Sequence, residues 1–420
     1  MREPAGGTGG RYWVETLGCP KNQVDSDKLA GTLVADGLVP AASPVEADLV
    51  VVNTCAFVES AREESVQTVL ALADRRPEGS RLVVTGCMAE RYGDELARAL
   101  PEVDLVAGFG VPVALTPRAR RPRLDLLELP RPPSAAPWAY VKVAEGCDRS
   151  CGFCAIPSFR GPQRSRTVAS VLAEVEALDA KEIVLVAQDL ASYGKDVPAI
   201  GAGSIVGLVR AVARRVARTR LLYLYPSELS DELVDAVGDT GVAYFDLSLQ
   251  HVSKPLLRRM RRWGDGSRFL RRIEAIRARW PDAAFRSNFI VGYPGETEAD
   301  HDQLLAWLSE AQLDWCGFFP FSPEEGTHAA GLGGQVDAGL ALERLAEASE
   351  LQDAITSRRR EALIGTTVEV LVDEPGSGRT HREAPEIDGV VRVPTTLAAG
   401  AFHRVVVTGA EGPDLEAEAA

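Results

Sequence analysis

The fold class that the sequence predicts is a multidomain α/β protein: an N-terminal doubly wound parallel α/β domain, a central partial barrel of six strand–helix units, and a small C-terminal antiparallel β-barrel. Residues 11–111 alternate apolar strand patterns with helical patterns, which is typical of a parallel sheet covered by helices. Residues 138–360 hold six more such units, and residues 361–409 hold short strands between Gly and Pro turns. Residues 112–137, rich in Pro and Arg, are expected to form a linker, and the acidic residues 410–420 a disordered tail.

Composition excludes several classes of function. The 420 residues include 46 Lys and Arg against 60 Asp and Glu, a net charge of −14, which disfavours broad contact with nucleic acid and is compatible with a basic protein partner. No apolar run is long enough to span a bilayer, and Met1–Gly10 lacks the apolar centre of a signal peptide. We therefore expect a short disordered arm, a cytoplasmic protein and no membrane partner. The five His are scattered, without the His-Glu-x-x-His or Gly-x-Ser-x-Gly motif of a hydrolase.

The first domain is predicted to follow a βαβαβ order, which gives a parallel sheet. The continuous apolar run of residues 48–53 is typical of a buried parallel strand. The predicted strands are Tyr12–Leu17, Asp48–Asn53 and Arg81–Thr85, and the predicted helices are Asp25–Asp36 and Val58–Arg75.

Three cysteines of this domain, Cys19, Cys55 and Cys87, each directly follow a predicted strand. Because the carboxyl ends of parallel strands meet at one edge of a sheet, we expect these cysteines to lie together. The pattern predicts a three-thiolate metal site. The alternative is three unrelated buried cysteines, since free cysteine is commonly buried.

The linker contains a basic run, Arg118–Arg123, which is interpreted as a solvated connector rather than a nucleic-acid contact. The six strand–helix units that follow are too few for a closed eight-stranded barrel. Their predicted strands are Ala139–Val143, Glu182–Ala187, Arg220–Tyr225, Ala243–Leu249, Phe285–Val291 and Asp314–Phe319, with helices that include Val168–Leu178, Ile205–Val216 and Ala299–Ala311.

The stretch Gly146–Arg166 follows the first of these strands and carries Cys147, Cys151 and Cys154 in a Cys-x3-Cys-x2-Cys spacing. Its Gly and Pro residues predict a loop. Thiolates suit iron–sulfur clusters or zinc, and structural zinc takes four closed ligands. With no fourth Cys or His nearby, the spacing favours a cluster with one open iron, where a small chelating ligand can bind. A zinc knuckle or an ordinary loop is the alternative.

Polar residues also stand near the carboxyl ends of other predicted barrel strands, where barrels of this kind bind ligands. Gln and Asn side chains there could equally satisfy loop backbone groups. His251 is interpreted as structural or catalytic with equal weight, and Glu296 and Thr297 could simply begin the next helix. The residues are Gln188 with Asp189, Gln250 with His251, Asn288, and Gly292–Thr297.

Two other features of the barrel receive a structural interpretation. Cys316 lies inside the sixth predicted strand without a spacing partner, and we expect it to be a core residue. Arg258–Arg262 is a basic patch on a helical pattern, and a solvated helix face is favoured over a contact with an acidic ligand.

The C-terminal barrel is predicted from three strand patterns, Thr367–Val372, Gly389–Val393 and Arg404–Val407. From residue 365 to residue 420 there are 4 Arg against 10 Asp and Glu, a net charge of −6. A barrel of this charge should repel phosphate groups and attract a basic protein.

The cysteine loop resembles the signature of the radical S-adenosylmethionine (SAM) superfamily. The resemblance implies the partial (β/α)6 barrel of that superfamily. It also implies that Cys147, Cys151 and Cys154 are the catalytic residues, holding a 4Fe–4S cluster whose open iron binds SAM. The SAM pocket that it implies is lined by Phe153, Gln188, Gln250, Asn288 and Gly292.

Three N-terminal segments, Leu17–Ser26, Asn53–Val58 and Thr85–Ala89, resemble the first domain of the methylthiotransferases, which are radical SAM enzymes with two clusters. The resemblance implies that the three cysteines of this domain hold an auxiliary 4Fe–4S cluster. The open iron of that cluster would carry the sulfur, or methylated sulfur, that is transferred. The C-terminal barrel resembles the TRAM module of the same enzymes.

Pro20–Asn22, Ile156–Arg166 and Arg382–Gly389 resemble the branch of this family that modifies the β-carbon of an aspartate in small-subunit ribosomal protein S-twelve. The resemblance implies that protein as a partner, free or in the ribosome, and an electron donor such as flavodoxin or ferredoxin. One SAM would methylate the sulfur, and another would give the radical that removes hydrogen from an unactivated carbon, a step beyond an ordinary general base.

Two alternatives remain at this stage. A tRNA adenosine methylthiotransferase would have the same clusters, but it would be expected to carry a basic TRAM module, so tRNA is disfavoured as a partner. A non-catalytic iron–sulfur protein would show no cleavage of SAM under reducing conditions.

Overall fold

The computed structural model describes residues 9–116, 122–197 and 204–420. The chain divides into two compact units: Met1–Pro132 with Ala155–Gly161, and Pro133–Cys154 with Pro162–Ala420. Most of the expected N-terminal arm, Met1–Gly10, and most of the basic run Arg118–Arg123 lie outside the described residues. Within the described part of the chain, no helix is long and apolar enough to cross a membrane.

The first unit is built on a five-stranded parallel sheet in the order β2-β1-β3-β4-β5. Along β3, Val50 and Val52 pack in one core cluster while Leu49 and Val51 pack in another, so both faces of the sheet are covered, as in a doubly wound domain. Its strands are β1 Arg11–Thr16, β2 Val39–Pro40, β3 Leu49–Thr54, β4 Arg81–Gly86 and β5 Leu105–Ala107; its helices are α1 Pro20–Ala35, α2 Glu59–Arg75, α3 Cys87–Ala99 and α4 Ile156–Arg160.

Helix α1 begins five residues before the predicted start at Asp25. Pro20 occupies the first turn of α1 and Cys19 is its N-cap residue; proline is well suited to this position because its missing N–H would be unpaired there anyway. The result places Cys19 at the junction of β1 and α1. Helix α3, which the sequence patterns did not predict, likewise begins at Cys87.

The second unit contains six parallel strands in two sheets, ordered β10-β9-β6 and β11-β12-β13. A parallel bridge between Leu224 and Leu247 joins the two sheets, so the predicted partial (β/α)6 barrel is confirmed. The strands are β6 Trp138–Lys142, β7 Ala144–Glu145, β8 Arg164–Ser165, β9 Glu182–Val186, β10 Arg218–Leu221, β11 Tyr244–Gln250, β12 Ala284–Val291 and β13 Trp315–Pro320; the helices are α5 Val168–Leu178, α6 Ile205–Ala213, α7 Asp231–Gly238, α8 Lys254–Arg259, α9 Gly266–Arg279, α10 Glu298–Ala311 and α11 Ala338–Glu361.

The C-terminal segment forms a closed five-stranded barrel in the order β14-β15-β16-β18-β17, which confirms the predicted barrel. Its strand pairs are antiparallel except for the parallel pair of β16 and β18. The strands are β14 Thr367–Glu374, β15 Ser377–Arg379, β16 Val391–Arg392, β17 Phe402–Glu411 and β18 Asp414–Ala419.

The expectation of a disordered acidic tail over residues 410–420 is wrong. Residues 414–419 form β18, which pairs with β17 after a turn at Gly412, whose φ is +56°. Leu415 and Ala417 are buried in the barrel core, while Glu416 and Glu418 are exposed. The acidic residues alternate with apolar ones, so they occupy the outer face of a strand.

The segment between β15 and β16 packs against the amino-terminal ends of the central barrel strands. Trp315, the first residue of β13, donates a hydrogen bond to the Arg382 carbonyl at 2.7 Å. Tyr244, the first residue of β11, donates to Asp388 at 2.6 Å. The run Arg382–Gly389 is therefore a buried connection between the two barrels, at the end opposite to the cysteine loop.

Candidate metal centres

The cysteines of the first unit lie at the carboxyl ends of three neighbouring strands. Cys19 follows β1, Cys55 follows β3, and Cys87 follows β4 as the first residue of α3. Gly18 shows how tightly the chain packs here: a Cβ atom at this position would lie 2.8 Å from the Cys55 Cβ, and the φ of Gly18 is +94°. The predicted gathering of these residues at one sheet edge is thus present in the fold.

The pKa values of these three thiols are shifted in different directions by their surroundings. Burial opposes ionisation of Cys19, but the charges of Lys21 and Arg160, together with the backbone N–H groups of Asn22 and Lys21, outweigh burial and lower the pKa of Cys19. Burial and the nearby Cys19 raise the pKa of Cys55 to about 12. Burial also raises the pKa of Cys87, against the opposing charge of Arg160. Cys19 raises the pKa of both Cys55 and Cys87, so the three thiols lie close enough to form one electrostatic group.

A buried polar group surrounds Cys87. Arg160, at the end of α4, places Nη2 at 3.0 Å from the Cys87 sulfur and donates to Asn22 Oδ1 at 2.8 Å. Its Nη1 lies 3.1 Å from the Asp25 carboxylate. A small cleft lies beside this group, with Asp25 and Phe109 in its lining. Sequence reasoning missed Arg160, although it lies inside the Ile156–Arg166 run that supported the family resemblance.

The second cysteine trio lies in the second unit, in the loop that directly follows β7, and β7 pairs with β8. Gly152 anchors the loop: its N–H donates to the Met260 carbonyl at 2.8 Å, and its carbonyl accepts from the Ala329 N–H at 2.7 Å. A Cβ at Gly152 would lie 3.0 Å from the Tyr293 hydroxyl. Burial raises the pKa of Cys147 to about 11. The loop is therefore held by contacts remote in sequence.

Arg149, within this loop, and Arg262, beyond the end of α8, both lie over the Tyr225 ring with the guanidinium carbon 3.9 Å from the ring centroid. Arg262 places Nη1 at 3.3 Å from the Cys151 sulfur. Arg149 pairs with Asp189 at 2.6 Å and with Glu228 at 3.1 Å. Arg258, Arg259 and Arg261 are exposed, so the solvated interpretation of the basic patch fits them but is wrong for Arg262.

Of the predicted pocket residues, Gln250 ends β11 and Gln188 lies two residues after β9, whereas Asn288 lies within β12. Gln188 donates to Glu145 at 2.7 Å, while its buried Oε1 has no hydrogen-bond partner among the described residues. The Oδ1 of Asn288 in β12 is likewise buried without a partner in that part of the chain. Gln250 ends β11 with a φ of +71°. Two unpaired acceptor oxygens fit a ligand that carries amino groups.

Residues around Gly292 hold the loop after β12 in place. The Gly292 N–H donates to the Glu296 carboxylate, and a Cβ at Gly292 would lie 2.5 Å from the Ala341 Cβ. Thr297 is the N-cap of α10, in a capping box with Asp300, as the helix-start interpretation proposed. His251 is fully buried and accepts from the Ser253 N–H at 3.0 Å, which is a structural contact.

Phe153 and Cys316 both pack against the core of the second unit. Cys316 lies in β13 opposite Ser287, and burial raises its pKa well above its ordinary value; the core interpretation fits these observations.

Among the described residues, no three His, Cys, Asp or Glu side chains surround one point closely enough to hold a single metal ion.

Comparisons with known proteins give three domain matches. Residues 11–108 match uncharacterized protein family UPF0004, residues 141–308 match the radical SAM superfamily, and residues 364–420 match the TRAM domain. Among solved structures, the radical S-adenosylmethionine methyltransferase TsrM from Kitasatospora setae, with cobalamin and an iron–sulfur cluster bound, is 14% identical with a TM-score of 0.48. The match covers 94% of this chain and 84% of that chain.

Curated relatives match nearly the whole chain. The ribosomal protein uS12 methylthiotransferase RimO of Moorella thermoacetica is 44% identical over 403 residues, which cover 91% of this chain and 93% of the relative. RimO of Cutibacterium acnes is 40% identical over 475 residues, covering 96% and 97%.

The radical SAM match together with these curated relatives defines a radical SAM enzyme of the methylthiotransferase class. Within that class, the chain belongs to the ribosomal protein uS12 methylthiotransferase RimO family.

Proposed function

We propose that this enzyme adds a methylthio group to the β-carbon of an aspartate in ribosomal protein uS12. The observation that carries the proposal is the 44% identity to the RimO of Moorella thermoacetica over 91% of the chain. A match over 91% of the chain extends well beyond residues 141–308, which match the radical SAM superfamily.

The proposed cofactors are SAM and two 4Fe–4S clusters, one on each cysteine trio. The loop cysteines Cys147, Cys151 and Cys154 would hold the catalytic cluster, and the cysteines at the sheet edge of the first unit the auxiliary one. When bound, these groups supply the electron, the carbon radical and the methylthio group of the reaction. The donor set fits them, because thiolates are the usual ligands of iron–sulfur clusters.

The chain itself would bind and orient SAM. The buried, unpaired oxygens of Gln188 and Asn288 are suited to accept hydrogen bonds from the amino groups of SAM. Phe153, Gln250 and Gly292 complete the proposed pocket. Arg149, within the cysteine loop, and Arg262, beside Cys151, both pack on the Tyr225 ring, which would help to hold the loop in place. A buried pocket also keeps water from a reactive radical.

Exposed charge on the C-terminal barrel favours a protein substrate over tRNA. Arg379 is fully buried and pairs with Glu182 and Asp373, so it cannot serve a phosphate backbone. The exposed charged residues of β14–β18 and their connections are Arg392 and Arg404 against Glu369, Glu374, Glu386, Glu411, Glu416 and Glu418. Such a surface repels phosphates and attracts a basic protein.

The proposal also covers the electron donor, the place of action and the domain boundaries. The electron donor is proposed to be a flavodoxin or ferredoxin, and the place of action the cytoplasm. Residues 11–111 would form the domain of the auxiliary cluster, residues 112–137 a linker and residues 138–360 the radical SAM domain.

Iron content tests the two-cluster proposal. Anaerobic reconstitution of the full chain should give about eight iron atoms, four for each cluster. Replacing either trio by Ala should leave about four. Only the variant that keeps Cys147, Cys151 and Cys154 should still cleave SAM, and it should form no methylthio product. About four iron atoms in the parent chain, all lost with the loop cysteines, would contradict the proposal.

A further inference from the structure

Arg160 is a buried cation held directly beside the cysteines of the first unit. Its side chain is only 2% exposed, and its Nη2 lies 3.0 Å from the Cys87 sulfur. Asn22 and Asp25 accept from the same guanidinium at 2.8 and 3.1 Å. The guanidinium carbon also lies 4.3 Å from the centroid of the Phe109 ring. Three polar partners and an aromatic face therefore fix its position.

The position of this cation relative to the thiols is informative. A buried charge is costly unless it is paired. Asp25 balances one unit of charge and is itself only 5% exposed. The positive charge of Arg160 lies at hydrogen-bond distance from the Cys87 sulfur, which stands at the same sheet edge as Cys19 and Cys55. The group is thus arranged to stabilise negative charge on the sulfur atoms, whether that charge belongs to thiolates or to a cluster that they bind.

Asn22 orients Arg160 toward the sulfur. Its Nδ2 donates to the Leu17 carbonyl at 2.9 Å and to the Thr54 carbonyl at 3.1 Å, so its Oδ1 points to the guanidinium. These two carbonyls belong to the turns that carry Cys19 and Cys55. The backbone next to Cys19 and Cys55 therefore also positions, through Asn22, the Arg160 guanidinium that faces Cys87.

We propose that Arg160 is a positioning residue that raises the reduction potential of the auxiliary cluster, by donating a hydrogen bond to the Cys87 sulfur and by placing a buried positive charge beside the site. This inference rests on the proposed function, because it requires a cluster on Cys19, Cys55 and Cys87. The potentials of such clusters depend on net charge and on hydrogen bonds to their sulfurs. Asp25 has the opposite sign and should lower the potential.

The test uses the full-length chain with Cys147, Cys151 and Cys154 replaced by Ala, so that only the auxiliary cluster gives a signal. Four changes are made in that background: Arg160→Gln, Arg160→Lys, Asp25→Asn and Arg11→Gln. Arg11 is the matched control, since it pairs with Glu46 at the opposite end of the same sheet and is half exposed. Iron content and the midpoint potential, from a redox titration followed by electron paramagnetic resonance, are measured for each protein.

Arg160→Gln should lower the reduction equilibrium constant at least tenfold, which is about 59 mV for a one-electron couple. Asp25→Asn should shift the potential the other way. Arg160→Lys should lie between Arg160→Gln and the parent, because it keeps the charge without the fixed geometry. Arg11→Gln should match the parent.

An unchanged potential in iron-loaded Arg160→Gln, or equal shifts in Arg160→Gln and Asp25→Asn, would overturn the inference. If Arg160→Gln fails to hold iron because the Asp25 carboxylate loses the Arg160 guanidinium, the double variant Arg160→Gln with Asp25→Asn decides. The reduction equilibrium constant of the double variant must then be at least tenfold lower than that of Asp25→Asn alone. A smaller difference refutes the inference. If the background protein itself holds no iron, the two-cluster proposal fails and the inference fails with it.

Discussion

Cys151 and Cys316 are both partly buried cysteines that pack against the core of the second unit, yet their surroundings differ. Cys151 lies in a loop, with the Arg262 guanidinium 3.3 Å from its sulfur. Cys316 lies within a strand, and burial raises its pKa well above the ordinary value. A cation at hydrogen-bond distance suits a thiolate ligand, whereas a thiol in an apolar strand behaves as a small core residue.

Replacing Cys151 by Ala should therefore abolish SAM cleavage, while Cys316→Ala should keep it. Loss of an outer-shell partner of a metal typically costs 10–100-fold, so loss of a ligand should lower the rate more than about 100-fold. Formation of 5′-deoxyadenosine under reducing conditions measures this rate. Equal rates in the two variants would remove Cys151 from the proposed catalytic site.

Gly18 offers a second comparison at a single position. Gly18→Ala and Gly37→Ala place a Cβ on backbones with φ values of +94° and +89°, so both suffer the same kind of strain, about 1 kcal/mol. Only Gly18 has a close neighbour, the Cys55 Cβ at 2.8 Å; nothing lies within 4 Å at Gly37. Gly18→Ala should lose about half of the bound iron, and Gly37→Ala should retain it. Full iron in both would show that Cys55 does not bind the cluster.

The segment that joins the two barrels of the second unit is organised by buried ion pairs. Glu383 is fully buried, pairs with Arg360 and accepts from the Thr380 N–H at 2.7 Å. Burial disfavours its charged form, but Arg360 and the Thr380 donors outweigh burial and lower the pKa of Glu383 from 4.5 to about 2. Removing one partner of such a pair leaves the other charge buried and unpaired.

Glu383→Gln should lower the free energy of unfolding by roughly 3 to 5 kcal/mol. The Glu383 carboxylate binds a proton more weakly in the folded chain than in the unfolded chain. The stabilisation that ionised Glu383 provides is therefore complete above about pH 4.5 and is lost as the pH falls through about 2. Urea unfolding across this range should show the loss in the parent and not in Glu383→Gln. Glu418→Gln, on the exposed face of β18, is the control and should change stability by less than about 0.5 kcal/mol. Parallel pH curves for parent and Glu383→Gln would contradict the assignment.

Local patterns predict five of the six barrel strands to within one residue at each end. The prediction is wrong for β10, Arg218–Leu221, which shares only residues 220 and 221 with the predicted strand Arg220–Tyr225, because two buried arginines interrupt its apolar pattern. Local patterns failed at β18, where alternation of Glu with Leu415 and Ala417 was interpreted from charge alone as disorder. They also gave the run Arg382–Gly389 no structural role. Its buried contacts reach residues far away in sequence, such as Tyr244 at a separation of 144 residues.

Over the molecule as a whole, the three-domain organisation and the edges that carry the cysteines could be predicted, since topology alone brings strand ends together. The arginines beside the cysteines could not. Arg160 and Cys87 are 73 residues apart, and Arg262 and Cys151 are 111 residues apart. Residues so far apart in sequence are not related by the helical or strand periodicity of a local pattern. A short basic run, taken alone, is usually interpreted as solvated. The net charge of the C-terminal barrel, by contrast, can be read from the sequence. Because Arg379 is buried, the exposed surface of the barrel is strongly acidic, as that net charge indicates.

Substrate choice is tested most directly by offering both candidate substrates to one enzyme. The reconstituted protein, with SAM and a reductant but no oxygen, receives ribosomal protein uS12 and unmodified tRNA together, and mass spectrometry locates the added methylthio group. We expect the group on a uS12 peptide that contains the aspartate, and none on tRNA. Modification of tRNA alone would contradict the charge argument while leaving the fold and clusters intact. Cleavage of SAM with neither product would mean that the substrate assignment is wrong.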